Sequence, residues 1–164
     1  MSATVVLVHG AFHGAWCWSF VAKGLAERGI EALPVELPGH GQSPLPLRGL
    51  RDDAAAVARV LRGCAGPVVL CGHSYGGAVI SQAVEPGHRV AHLVYLAAVV
   101  PDVGESFATG VPEMLDAPIA ASLLPGRAEN SVEIDPERAG EIFYHDCDAE
   151  LVAWAVAQLG PQGL

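Results

Sequence analysis

Apolar positions along the chain follow two spacings. Val5 to Val8, Ile30 to Val35, Val68 to Cys71 and Ala91 to Ala97 are short, mostly apolar runs bounded by Gly, Pro or polar residues. Runs of this length and composition predict strands, the first of which extends from Val5 to His9. Between them, apolar residues recur three and four positions apart. Trp18, Val21, Ala22 and Leu25 do so within 16–28, and Ala54, Val57, Ala58 and Leu61 repeat the spacing after a Pro- and Gly-rich loop, Leu37 to Gly49. This spacing predicts helices that press one stripe onto a sheet. Gly29 ends the first helix; Asp52 and Asp53 at the start of the second, with Arg59 and Arg62 near its end, suit the helix dipole. A further helix, Ala78 to Val84, is stopped by Pro86-Gly87.

Strands alternating with helices predict an α/β fold, a mostly parallel sheet with helices on both faces. An apolar strand left at the edge of such a sheet invites pairing with another copy of the chain. From Pro101 onward the rhythm gives way to Pro-rich loops and short helices. The last helix runs from an N-cap at Asp148 to Leu159, with Gly160-Pro161 as its stop. Leu151, Val152, Trp154, Ala155, Val156 and Leu159 read as packing positions, with substrate contact by Trp154 as an alternative.

The third strand runs directly into Gly72-His73-Ser74-Tyr75-Gly76-Gly77. A G-x-S-x-G turn between strand and helix is too sharp for side chains at its flanks, and it holds the central serine in strained dihedrals that aim the hydroxyl away from the sheet. Ser74 is therefore the candidate nucleophile. The first strand enters a second glycine-punctuated loop, His9-Gly10-Ala11-Phe12-His13-Gly14. In a serine hydrolase such a loop supplies one oxyanion donor and the residue after the nucleophile supplies the other. The backbone N–H groups of Ala11 and Tyr75 are the candidates, and Phe12 and His13 are candidate substrate contacts.

These stretches, with Trp16-x-Trp18, Leu37-Pro38-Gly39-His40-Gly41-x-Ser43, Leu96-Ala97-Ala98-x-x-Pro101-Asp102 and Phe143-Tyr144-x-x-Cys147-x-x-Glu150-Leu151, resemble the α/β-hydrolase superfamily. More narrowly, the chain is similar to the plant methylesterase and hydroxynitrile lyase group and its bacterial esterase relatives. The resemblance covers residues 5 to about 162. It implies an α/β-hydrolase core over 1–100, carrying the oxyanion loop and the nucleophile turn, and a cap segment over 101–164. Family members continue for roughly another ninety residues, with two more strands, the triad acid and the triad histidine. The expectation is a C-terminally truncated fold whose serine lacks its base, and catalysis impaired accordingly.

The lyase branch carries a threonine directly after the oxyanion-loop histidine and a Glu-Ser-Cys turn. Gly10 and His73-Ser74-Tyr75 stand here instead, so the resemblance implies an esterase: attack by Ser74 on a small carboxylic ester, an acyl-enzyme, and release by water. A non-catalytic binding or interaction protein that keeps the pocket is the alternative from another class; a lyase is the lesser one. His73 reads as structural, His9, His13 and His40 as loop-ordering, and His88 and His92 as surface or packing residues. His145 in the cap is the one histidine with a route over Ser74. Asp102, after the fourth strand, is a candidate acid, against the plainer reading of a cap for the following segment.

Composition adds limits. The 164 residues are 51% hydrophobic and 16% charged, and the net charge is −9. The acidity and the absence of a Lys/Arg cluster argue against nucleic acid as a partner. No apolar run reaches the length of a membrane span, and residues 1–4 open straight into a strand without a basic leader, so the expected location is cytoplasmic. Cys17, Cys64, Cys71 and Cys147 form no C-x-x-C pair and read as buried reduced thiols rather than a metal or redox site. The implied chemistry needs no cofactor and no metal.

Overall fold

The computed structural model describes residues 3–105 and 117–164. Four parallel strands, β1 (Thr4–Val8), β2 (Ala32–Val35), β3 (Val68–His73) and β4 (Val90–Leu96), form a sheet in the order β2-β1-β3-β4. Alternation along β1 and β3 sorts the side chains onto its two faces. Val6, Val8, Val68 and Leu70 pack with Ala54, Val57 and Leu61 of α2 (Leu50–Gly63) and with Val79, Ile80 and Ala83 of α3 (Tyr75–Ala83). Leu7 and Cys71 point the other way, onto Trp18 and Leu25. Each fully buried Val or Leu contributes about 1.5–3 kcal/mol, so these two layers hold β1 and β3 as the rigid centre from which the glycine loop and the serine turn spring.

The expected first helix is divided. Ala15–Trp18 is a 3-10 turn and α1 follows at Ser19–Ala26. Of its expected stripe, Trp18 is buried, but Val21 is 46% exposed and so does not pack on the sheet. The strands β2 and β4 begin two residues later and one residue earlier than expected, and α3 starts at Tyr75, directly after the serine.

Strand β4 is the edge, as its place in the order required, and Leu93, Val94 and Leu96 are exposed there. The opposite edge, β2, carries Pro34, whose missing N–H blunts pairing.

Beyond the sheet, the expected run of loops and short helices holds an additional element: a three-stranded antiparallel sheet, β5 (Leu123–Pro125), β6 (Ser131–Ile134) and β7 (Gln162–Gly163), in the order β5-β6-β7. With it lie α4 (Ala117–Ala120), α5 (Pro136–Tyr144) and α6 (Ala149–Val156). The Asp148 side chain accepts from the Leu151 N–H, the N-cap expected of it. Part of the expected cap, 106–116, lies outside the described residues. Trp154, read as a packing position, is 42% exposed and meets Trp16 edge-on at 5.4 Å. Among the described residues no helix is long and apolar enough to cross a membrane. The four cysteines are free; Cys71 is buried and the other three are only half-buried, which corrects the expectation of four buried thiols.

Candidate active site

Ser74 stands between β3 and α3 with φ 52° and ψ −121°, a conformation non-glycine residues rarely adopt. Such a backbone persists only where its surroundings over-determine it. The Ser74 carbonyl accepts from Gly77 N–H and Val99 N–H, both at 3.0 Å. Gly76 lies against β1 so closely that a methyl group there would stand 2.6 Å from the Val8 carbonyl oxygen. Ser74 is half-buried, not enclosed. Among the described residues no side chain hydrogen-bonds its hydroxyl.

The loop after β1 arrives opposite. A methyl group on Gly10 would stand 3.0 Å from Ser74 Cβ and 3.2 Å from His73 Nδ1, a tight fit that shows how closely the loop approaches the serine. His9 is fully buried; its Nδ1 lies 2.9 Å from the Gly10 carbonyl, and its Nε2 accepts from Leu37 N–H at 3.3 Å. Burial lowers its pKa to about 3, which keeps the ring neutral with the proton on Nδ1.

His13 is held in the same way. Nδ1–H donates to the Ala11 carbonyl at 2.7 Å, Nε2 accepts from the Tyr144 hydroxyl at 2.7 Å, and the ring stacks on Trp16. Burial lowers its pKa as well. The Ala11 N–H makes no hydrogen bond among the described residues. Phe12, at φ 67°, is buried against Ile134 and Ala139.

Glu36, which the sequence reading passed over, ties this loop to the next one. Its carboxylate accepts from Ala15 N–H at 2.8 Å and from Gln42 N–H at 3.0 Å. Asp53, expected at the helix start as a partner for the dipole, is fully buried, and its Oδ2 accepts from the Tyr75 hydroxyl at 2.6 Å. Desolvation raises the Asp53 pKa to about 6, with the Tyr75 hydrogen bond acting against it. The signal lay in its position, beside Ala54 and four residues before Val57 on the buried stripe of α2.

His73, beside the serine, faces Trp18 edge-on on the α1 side of the sheet, and burial lowers its pKa. His40 is buried, with Nδ1 2.9 Å from the Pro38 carbonyl and Nε2 3.2 Å from Gln162 Oε1. Asp102 is exposed in a turn, its N–H donating to Glu105 Oε2, and His145 is exposed at the end of α5. Neither is hydrogen-bonded to Ser74. The structure thus brings Gly10, in the loop that carries Ala11, against Ser74 and its neighbour Tyr75, and gives the candidate acid and the cap histidine no hydrogen bond to the serine.

A serine on a strained strand-to-helix turn, faced by a glycine loop from the neighbouring strand, matches a known architecture over nearly the whole chain: the alpha/beta hydrolase family matches residues 5–163. The chain belongs to this family. Among its curated members, a carbendazim hydrolyzing esterase from Nocardioides sp. (strain SG-4G) is 35% identical over 130 residues, covering 76% of this chain and 53% of that protein. Esterase PIR7B from Oryza sativa subsp. japonica is 36% identical over 118 residues, covering 65% and 42%. The chain therefore spans about half the length of these relatives. In three dimensions, the crystal structure of polyneuridine aldehyde esterase superposes with a TM-score of 0.85 at 25% identity, over 99% of this chain and 70% of that one. As an α/β hydrolase, the chain has its sheet order, its serine turn and its first loop in one consistent frame.

Proposed function

We propose that this chain carries the nucleophile and oxyanion side of an esterase acting on a small carboxylic ester. The observation that carries the reading is the Ser74 backbone, strained at φ 52° and faced by Gly10. In this reading Ser74 Oγ attacks the ester carbonyl, and the anion that develops is received by the N–H groups of Ala11 and Tyr75. Each such donor is worth about 2.7–4 kcal/mol in the transition state. The alcohol leaves, and water releases the acid from the acyl-enzyme. Tyr75 opens α3, whose positive end adds to the field at the same point. Phe12 and His13 support the loop through their contacts with Ile134, Ala139 and Tyr144, and in this reading residues 1–100 are the core and 101–164 the cap segment. The esterase names of relatives from a bacterium and from rice support the reaction class.

A serine hydroxyl is a weak nucleophile until a base takes its proton. Neither Asp102 nor His145 is hydrogen-bonded to it among the described residues, so the expected turnover of these 164 residues alone is slow. That same observation favours a second reading, a binding protein that keeps the pocket without chemistry. A fluorophosphonate probe followed by intact-mass and peptide analysis separates the two. The esterase reading expects covalent labelling at Ser74 that vanishes in Ser74→Ala. No adduct on the wild-type chain, or equal hydrolysis of a short-chain aryl ester by wild type and Ser74→Ala, overturns it.

A further inference from the structure

Beneath the serine turn lies a buried polar cluster that the attack itself does not use. Four elements meet there: Asp53 from α2, Tyr75 from the start of α3, His40 from the loop after β2, and Gln162 from β7. Tyr75 donates to Asp53 Oδ2 at 2.6 Å, the Gln162 side chain also hydrogen-bonds Tyr75, and Gln162 Oε1 lies 3.2 Å from His40 Nε2. Asp53 is fully buried and Tyr75 is 3% exposed.

We propose that Asp53 is a positioning residue for the oxyanion hole: by anchoring the Tyr75 phenol it holds the Tyr75 main-chain N–H in the orientation that receives the anion. The inference deepens the esterase reading and takes its catalytic meaning from it.

The argument starts from one peptide unit. The Ser74 carbonyl and the Tyr75 N–H belong to the same plane, whose direction is set by the unfavourable Ser74 ψ of −121° and by Tyr75 φ. At one end the plane is gripped by two donors on the Ser74 oxygen, from Gly77 and Val99. At the other end its direction passes to the Tyr75 Cα and from there to a side chain fixed at its tip. Release of that tip lets the strained turn relax, and an error of about 1 Å in a group aimed at a reacting atom costs up to a hundredfold in rate.

A buried carboxylate is also an uneconomical way to gain stability. Asp53 Oδ1 has no hydrogen-bond partner among the described residues, and a neutral pair of similar shape would carry a smaller desolvation cost. What the carboxylate supplies is a short, charge-assisted bond that fixes the phenol in one place. The titratable or charged groups acting on Asp53 are Asp52 on its own helix, His40 from the loop after β2, and Tyr75 itself.

The test uses the full chain, labelled with nitrogen-15, and follows the Tyr75 amide cross-peak from pH 4.5 to 8. The expected result is a shift with a midpoint near the Asp53 value of about 6, absent in Asp53→Asn and in Tyr75→Phe, both near-isosteric and checked for a dispersed spectrum. Alongside, the rate of Ser74 phosphonylation falls about tenfold in both variants, less than the roughly hundredfold of losing a donor outright. A Tyr75 amide that stays flat in the wild type overturns the proposal. So does a titration that survives in Asp53→Asn, which traces it to a group other than Asp53, and so do variants that melt earlier yet label at the wild-type rate. Failure of the wild type to label at all sinks the esterase reading, while the amide titration still decides whether Asp53 controls this N–H.

Discussion

The Tyr144 hydroxyl lies 2.7 Å from His13 Nε2, joining α5 to the loop after β1 across 131 residues of sequence. With Nδ1–H committed to the Ala11 carbonyl, Nε2 is an acceptor, and a tyrosine hydroxyl at this point completes the ring's hydrogen bonding. The bond runs between the small second sheet's layer and the histidine that holds the carbonyl of Ala11, whose N–H is a proposed oxyanion donor.

Tyr144→Phe keeps the aromatic ring and removes that donor. A hydrogen bond of this kind contributes about 1 kcal/mol net. The expected outcome is a melting point lower by roughly 2–4 °C in a thermal scan at pH 7.5. An unchanged melting point would show that the contact is not made in solution.

Two glycines are expected to respond oppositely to alanine. At Gly76 the new methyl group meets main chain, the Val8 and His9 carbonyl oxygens at 2.6 and 2.8 Å, and no side chain is there to move aside. Overpacking of this type costs about 1–3 kcal/mol or more, and Gly76→Ala is expected at the upper end. Gly63, the last residue of α2, has nothing within 4 Å of an added methyl group. Gly63→Ala is expected to gain up to about 1 kcal/mol from helix propensity and from a less flexible unfolded chain. Urea titrations of the two variants measure both signs.

Glu36→Ala removes the acceptor shared by Ala15 and Gln42 N–H. Hydrogen bonds to a charged group contribute about 1.5–3 kcal/mol each, less here because Gln42 is exposed. Since Ala15 directly follows the oxyanion loop, the expected result is a lower melting point together with slower phosphonylation of Ser74. A lower melting point with an unchanged labelling rate would separate the loop's stability from its aim.

Acid sensitivity has two opposed sources. His9 has its folded pKa depressed from 6.5 to about 3, so the unfolded chain takes up the proton first, and the stability His9 contributes above pH 6.5 is lost as pH falls through that window. Asp53 has its folded pKa raised from 3.8 to about 6, so here the folded chain holds the proton longer and stability falls as pH rises from 3.8 to 6. In Asp53→Asn the second effect is gone. The stability of this variant relative to wild type is therefore expected to rise between pH 4 and pH 7, by an amount on the order of 3 kcal/mol. Melts across that range test it, and a constant difference would mean that Asp53 pays no penalty for ionising inside the fold.

The central strands and the serine turn were legible because local chemistry decides them. Val6 and Val8 alternate with Leu7, and the glycines around Ser74 admit only a turn that a methyl group would block. The family resemblance was legible for the same reason, since its motifs are runs of neighbouring residues. The small antiparallel sheet was not: β5 has three residues and ends at Pro125, β7 has two, and neither is long enough to carry a period. Asp53 was misread because a carboxylate in the first turn of a helix satisfies the dipole on its own terms. Its burial is decided by Tyr75, 22 residues further on, and by the packing of α2 against α3. Val21 failed as a packing position because the 3-10 turn before α1 breaks the helical spacing between it and Trp18.

Strand β7 reaches further than its two residues suggest. Gln162 and Gly163 pair with Val132 and Ser131, and the Gln162 side chain is the wedge between His40 and Tyr75. Replacing Gln162 by alanine would pull that wedge out from under the serine turn. A change in this one short strand thus loosens the serine turn from 88 residues away in sequence.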